Sequence, residues 1–431
     1  MNVARCASVY VTRVGGTGAS TSLKVEERRV AVGDLLVGMY VCRLDRDWAA
    51  TPFPLQGVAI RSADDIAALA EYARYVFIDI EMGLGPPDKP LATLAPSQPR
   101  TEADIRKLPG RIVYHDTAAF DDELPRAREA QGKAAEFAGR ILDDVRKGRE
   151  IPADDVRRAV EPLVCSILRN NDAFFWIESL RKRDAYDYSH ALNCSALAAA
   201  FGRHVGFPED VLGDLASGGL LLDVGKLRID GGLFARSGPL TDDETVQVRR
   251  HVELGLQAVD SSDPLPLHVQ DMIRTHHERE DGSGYPNGLT GGQIPLLGRI
   301  AAVIDSYDAM TSHRSHRKAV GKHVALQELY RARGTLYSAE IVEQFMQCLS
   351  VYPTGSLVEL SNGQVAVVMA QNAARRLWPR VMLLTTPDKR LAEHFLALDL
   401  MAQPGDKAGH LRIANTLEVG AYGLDPTELY L

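Results

Sequence analysis

From about Asp122 to Leu349 the chain repeats apolar residues at three- and four-residue spacings, most clearly in Ala135–Val145, Val160–Leu168 and His190–Phe201. That period buries one face of a helix, so the segment predicts a helical bundle around a shared core. After Pro353 the period changes to alternation. Ser356–Leu360 and Gln364–Met369 flank Asn362-Gly363, whose turn positions tolerate positive φ and predict a hairpin, and Arg380–Leu384 adds a third strand. Ahead of the helices, Gly38–Cys42 and Tyr75–Asp79 are short β-rich runs. Between them Ser62 and Asp65 form a capping box that opens a helix over Ala63–Tyr72. Pro86, Pro87, Pro90, Pro96 and Pro99 forbid a continuous helix or central strand between Gly83 and Arg100.

At 431 residues the chain is too long for one ordinary core. The expected organisation is multidomain: a disordered leader over 1–23, a small α+β domain over 24–82, a linker over 83–121, a mainly α-helical domain over 122–350, and a small β-rich region over 351–431. Lys plus Arg number 49 against 57 Asp plus Glu, for a net charge of −8. This balance argues against a nucleic-acid partner and a polybasic membrane anchor, while leaving room for a local basic pocket. The five cysteines are scattered, with no C-x-x-C pair, so neither a disulfide framework nor a zinc ribbon is expected. No apolar run is long enough to cross a bilayer and the N-terminus lacks a signal-peptide core, which together predict a cytoplasmic protein.

Chemistry concentrates at His276-His277-Glu278, followed at once by Asp281-Gly282-Ser283-Gly284-Tyr285-Pro286. Adjacent imidazoles offer two neutral ligands to one small volume, and the glycine-rich turn lets the backbone close around them. Asp223 ends the apolar run Leu220-Leu221-Leu222 and precedes Lys226. Two readings of Asp223 stand side by side: an ion pair with Lys226 at a helix end, or a carboxylate bridging two metals with Lys226 on a substrate phosphate. Asp305 closes a second apolar run, with Asp308 one turn on as a supporting partner, while His190 lies at a helix start. Thr241 with Glu244 forms a capping box that puts His251 two turns into its helix. Imidazole and carboxylate together suit Fe, Mn or Zn rather than Ca or Mg alone.

In order along the chain, His190, Asp223-x-Gly225-Lys226, His251, His276-His277-Glu278, Asp281-Gly282-x-Gly284-Tyr285-Pro286, Ile294-Pro295, Arg299, Asp305-x-x-Asp308, Arg314 and Arg317 resemble the HD-GYP pattern. HD-GYP proteins are a branch of the HD metal-dependent phosphohydrolases. The resemblance covers about residues 183–320 and implies an HD-type bundle that hydrolyses the bacterial messenger cyclic di-GMP. The segment with Val37-Gly38-Met39-Tyr40-Val41 and Asp47-Trp48 resembles the uncharacterised domain that often precedes HD-GYP. By resemblance, the metal ligands are His190, Asp223, His251, His276, His277 and Asp305. Asp223 and Lys226 then serve catalysis, and Lys226, Tyr285, Arg314 and Arg317 bind substrate.

The chain departs from that pattern where the family's signature His-Asp is Leu222-Asp223. One site keeps Asp223, His251, His276 and His277 and is expected to hold its ion tightly. The other keeps His190, Asp223 and Asp305 and is expected to hold a second ion weakly, Fe or Mn being the expected metals. Tyr186 stands where a third metal would need Glu, and His316 where the family has Tyr between the downstream basic residues. The resemblance therefore implies a phosphodiesterase with impaired metal binding. Its rivals are a catalytically silent module, binding cyclic di-GMP or a diguanylate cyclase (GGDEF) partner through the Gly-Tyr-Pro surface, and a hydrolase of another nucleotide.

Overall fold

A computed structural model describes residues 27–45, 57–80, 82–85, 112–180, 186–235, 238, 240–260, 264–312, 319–372, 375–403 and 409–428. The expected leader, most of the expected linker, and Arg314, His316 and Arg317 lie outside the described residues. The chain divides into two compact units, 1–103 and 104–431.

The first unit contains β1 (Glu27–Ala31), β2 (Tyr40–Leu44), β3 (Val58–Ala59), α1 (Ala63–Tyr72) and β4 (Tyr75–Asp79), its antiparallel sheet ordered β1-β4-β2-β3. Helix α1 starts where Ser62 and Asp65 satisfy each other's backbone N–H groups, which closes the capping box read from the sequence. Val30, Val41, Leu69, Val76 and Ile78 form the core between helix and sheet.

The second unit is helical first: α2 (Phe120–Arg146), α3 (Ala153–Arg169), α4 (Asn171–Ser179), α5 (Tyr186–Val205), α6 (Glu209–Leu221), α7 (Gly232–Ala235), α8 (Asp242–Arg249), α9 (His251–Val259), α10 (Leu267–Thr275), α11 (Leu296–Thr311), α12 (Lys322–Ala332) and α13 (Ala339–Leu349). A 3₁₀ turn over Val224–Arg228 follows α6. Small residues let α5 and α6 approach closely. Ala196, Ala198, Ala199 and Ala200 are buried, and a Cβ on Gly219 would lie 2.5 Å from the Cys194 carbonyl oxygen.

The chain then forms β5 (Leu357–Leu360), β6 (Val365–Ala370), β7 (Arg380–Thr385), β8 (Leu391–Asp399) and β9 (Ile413–Thr416), an antiparallel sheet ordered β8-β7-β6-β5-β9. Gly363 takes φ +88° in the turn between β5 and β6. All of β6 is buried, unlike a strand with one solvated face. Val365, Val367 and Met369 join Trp176 and Ile177 of α4, while Ala366 and Val368 pack with Val358, Val381 and Leu400. The sheet thus shares a core with the helices. Among the described residues, no helix is long and apolar enough to cross a membrane.

Candidate metal centre

The site is assembled from the ends of helices and one helix interior. Helix α6 stops at Leu221, Leu222 follows in the core with 1% exposure, and Asp223 caps the 3₁₀ turn. His251 does not lie two turns into a continuous helix. The helix ends at Arg249, Arg250 tightens to an N–H bond with the Gln247 carbonyl (3.2 Å), and His251 opens α9. Packing beside the break is close: a Cβ on Gly225 would lie 1.9 Å from the His251 carbonyl oxygen and 2.5 Å from the Gly255 nitrogen. His276 caps the C-terminus of α10 and His277 follows it, while Asp305 projects from within α11.

These six residues converge. His190 Nε2 lies 3.2 Å from Asp223 Oδ2 and 3.3 Å from Asp305 Oδ1. Asp223 Oδ1 lies 3.4 Å from His251 Nε2 and 3.7 Å from His276 Nε2, and His277 Nδ1 lies 3.9 Å from Asp305 Oδ2. Among the described residues, three groups have all ligand atoms within 4.8 Å of one another: Asp223 with His251, His276 and His277, His190 with Asp223 and Asp305, and His190 with Cys194 and Asp308. Asp223 Oδ1 is buried and makes no hydrogen bond, although three imidazoles surround it. An orphaned carboxylate oxygen among imidazole nitrogens is costly in itself, and a divalent cation would satisfy it. The donor set fits the ions the sequence implied.

Backbone carbonyls set the imidazole tautomers. His251 Nδ1–H donates to the Val248 carbonyl (2.7 Å) and His276 Nδ1–H to the Ile273 carbonyl (2.9 Å). A carbonyl can only accept, so each Nε2 carries its lone pair toward Asp223. His190 Nδ1 pairs with Asp308 Oδ2 at 2.7 Å. Asp308 in turn accepts from Asn193 Nδ2 (2.9 Å) and the Ser312 hydroxyl (3.1 Å). Sequence reasoning missed Asn193 and Ser312. Their signal was helical spacing, three residues after His190 and four after Asp308.

Electrostatics leave His251 and His277 ready for metal, whereas at His190 burial is outweighed by the neighbouring Cys194 and the hydrogen bonds to Asp223, Asp305 and Asp308, which raise its imidazole well above its ordinary value. Burial lowers the His251 imidazole to about 4, and burial with the neighbouring His276 lowers that of His277 well below its ordinary value. Burial opposes ionisation of Asp223, but the Lys226 ammonium and the His190 hydrogen bond hold it well below the usual carboxylate range. Lys226 Nζ donates to Asp223 Oδ2, so the ion pair that stood as one of the two readings of Asp223 is present beside the imidazoles.

The turn after the histidines is fastened back onto them. Buried Glu278 accepts N–H bonds from Asn287 (2.8 Å) and Leu289 (2.9 Å), and the Tyr285 N–H donates to the His277 carbonyl (3.2 Å). A Cβ on Gly284 would lie 2.5 Å from the Glu278 Cα, so only glycine permits this approach. The Tyr285 ring then stacks on His277, with centroids 4.5 Å apart and planes 28° apart.

A profile of the HD domain matches residues 167–341, and a domain of unknown function, DUF3391, matches residues 27–156. The cyclic di-GMP phosphodiesterase PA4108 of Pseudomonas aeruginosa is 31% identical over 356 residues, covering 82% of this chain and 84% of that protein. A cyclic di-GMP phosphodiesterase of Thermotoga maritima is 33% identical over 38% of this chain and 45% of its own length. The response regulator RpfG of Xanthomonas campestris, also named a cyclic di-GMP phosphodiesterase, is 33% identical over 39% of this chain and 45% of its own length.

Proposed function

The chain belongs to the HD-GYP family of HD metal-dependent phosphohydrolases, and on that premise we propose that it hydrolyses the phosphodiester bonds of cyclic di-GMP. The observation that carries the reading is the orphaned Asp223 Oδ1, buried where His251, His276 and His277 converge. These four residues would hold one divalent ion, Fe or Mn. His190, Asp223 and Asp305 would hold a second with one protein ligand fewer, because Leu222 has no lone pair to offer. When bound, such ions lower the pKa of water and neutralise charge on phosphoryl oxygens.

The protein's own groups do the rest. Asp308 holds His190 by Nδ1, and the Val248 and Ile273 carbonyls hold His251 and His276, so the ligand nitrogens are oriented in advance. Lys226, paired with Asp223, would donate to a phosphoryl oxygen. Tyr285 contributes a ring at the rim, and Arg314 and Arg317 supply further phosphate contacts in this reading. A cytoplasmic location fits a messenger made and used there.

Incubation of the metal-loaded chain with cyclic di-GMP, followed by chromatography for pGpG and GMP, tests the proposal. Leu222 favours one second reading, a silent module that binds cyclic di-GMP or a GGDEF partner through the Gly-Tyr-Pro turn. Binding without product, at full metal occupancy, would select it.

A further inference from the structure

Arg249 ends α8 two residues before His251, and its guanidinium carbon lies 4.7 Å from the centre of the Tyr285 ring. That ring is shared, since its other close partner is His277 at 4.5 Å. Three neighbouring cations already have protein partners. Lys226 binds Asp223, Arg299 lies 3.6 Å from Glu280, and Arg279 donates to the His276 and Glu278 carbonyls. Among the described residues Arg249 makes no ion pair, and it is exposed. An arginine stacked on an aromatic ring uses its face, leaving the N–H edge free for a planar, bidentate acceptor. The aromatic contact keeps Arg249 beside the ring that packs on His277.

Resting on the function proposed above, we infer that Arg249 is a substrate phosphate contact, and that it reads the phosphodiester not being cleaved. A phosphate at Asp223 meets Lys226, whereas the aromatic partner of Arg249 is Tyr285, which itself packs on His277. A cyclic dinucleotide carries two phosphodiesters on opposite sides of its macrocycle. With one at the ligands, the other is displaced outward and needs its own cation. Arg249 thereby favours cyclic dinucleotides over simple diesters that carry one phosphate.

The test compares the manganese-loaded full chain with Arg249→Ala and Arg249→Lys. Kinetics are measured on cyclic di-GMP and on bis(p-nitrophenyl) phosphate, and calorimetry on a hydrolysis-resistant phosphorothioate of cyclic di-GMP. Losing one charge-assisted contact should weaken phosphorothioate binding and raise KM for cyclic di-GMP by about 10–100-fold, with a clearly smaller rise for the single diester. Arg249→Lys should recover part of the loss, and metal content should match the wild type. Equal changes on both substrates, or none, would overturn the inference. So would loss of metal in Arg249→Ala, which would mean that the residue acts through His251. A wild type that neither binds nor cleaves the cyclic dinucleotide removes the function and this role together. A wild type that binds it no better than Arg249→Ala removes only the role.

Discussion

Leu222→His is the perturbation on which the most depends. Leu222 is buried in the helical core directly before Asp223, so replacing it forfeits about 1.5–3 kcal/mol of apolar burial. Without metal, the new imidazole adds about 1–3 kcal/mol for hydrogen bonds it cannot make. Taken together these cost about 4 kcal/mol, which lowers the melting temperature by about 6 °C for a unit of this size. Metal should return much of it, since an ion at a hundred times its dissociation constant stabilises by about 2.7 kcal/mol. Thermal scans in chelator and in manganese, run on wild type and variant, therefore give a large metal-dependent shift in the variant and a smaller one in the wild type. Turnover of cyclic di-GMP should rise with it, by about 10–100-fold. Identical melting of the two proteins in chelator, with no extra gain from metal, would show that position 222 does not face the ligands. A wild type already as fast as the variant would show that the departure from the family pattern is harmless.

Metal retention should be unequal: after dialysis, elemental analysis should find more metal lost from His277→Ala than from His190→Ala, and two equally tight ions in the wild type would contradict this. Gly225→Ala places a Cβ 1.9 Å from the His251 carbonyl oxygen with backbone on both sides. A displacement of α9 by about 1 Å should then cost about 10²-fold in kcat/KM, with a lower melting temperature, and unchanged kinetics would refute the tight contact. Asp172 supplies the pH dependence, because burial raises its carboxyl from 3.8 to about 6 against hydrogen bonds from the Gln371 N–H (2.8 Å) and the Thr354 hydroxyl (3.2 Å). A raised folded-state value means that the folded protein holds the proton more tightly. This group's contribution is therefore full below about 4 and is lost as pH rises through about 6, by up to about 3 kcal/mol. Urea unfolding at pH 4.5 and 7 should show the wild type losing stability relative to Asp172→Asn as pH rises, and parallel profiles would refute it.

What was legible in the sequence was decided by neighbours in sequence. Ser62 and Asp65 cap α1, Tyr75–Asp79 is a strand, and Asn362-Gly363 turns a hairpin, each because the chemistry lies within a few residues. Strands β8 and β9 went unread. In β8 the burial pattern does not alternate, and Leu391 and Leu396 are exposed. The break before His251 was hidden for another reason: nothing between Val248 and Leu254 breaks a helix, and the close approach of Gly225 comes from a segment more than twenty residues away. His190, Asp223, His251, His276, His277 and Asp305 stood out by residue type and context, and family resemblance assigned them as ligands, although His190 and Asp305 are over a hundred residues apart. Neither pattern nor resemblance could say which imidazole nitrogen faces Asp223. That depends on the Val248 and Ile273 carbonyls, each three residues before its histidine in a helical turn. Such a carbonyl is supplied by any residue type, so its role is invisible in sequence. A substitution that unwinds either turn should disable the site without touching a ligand.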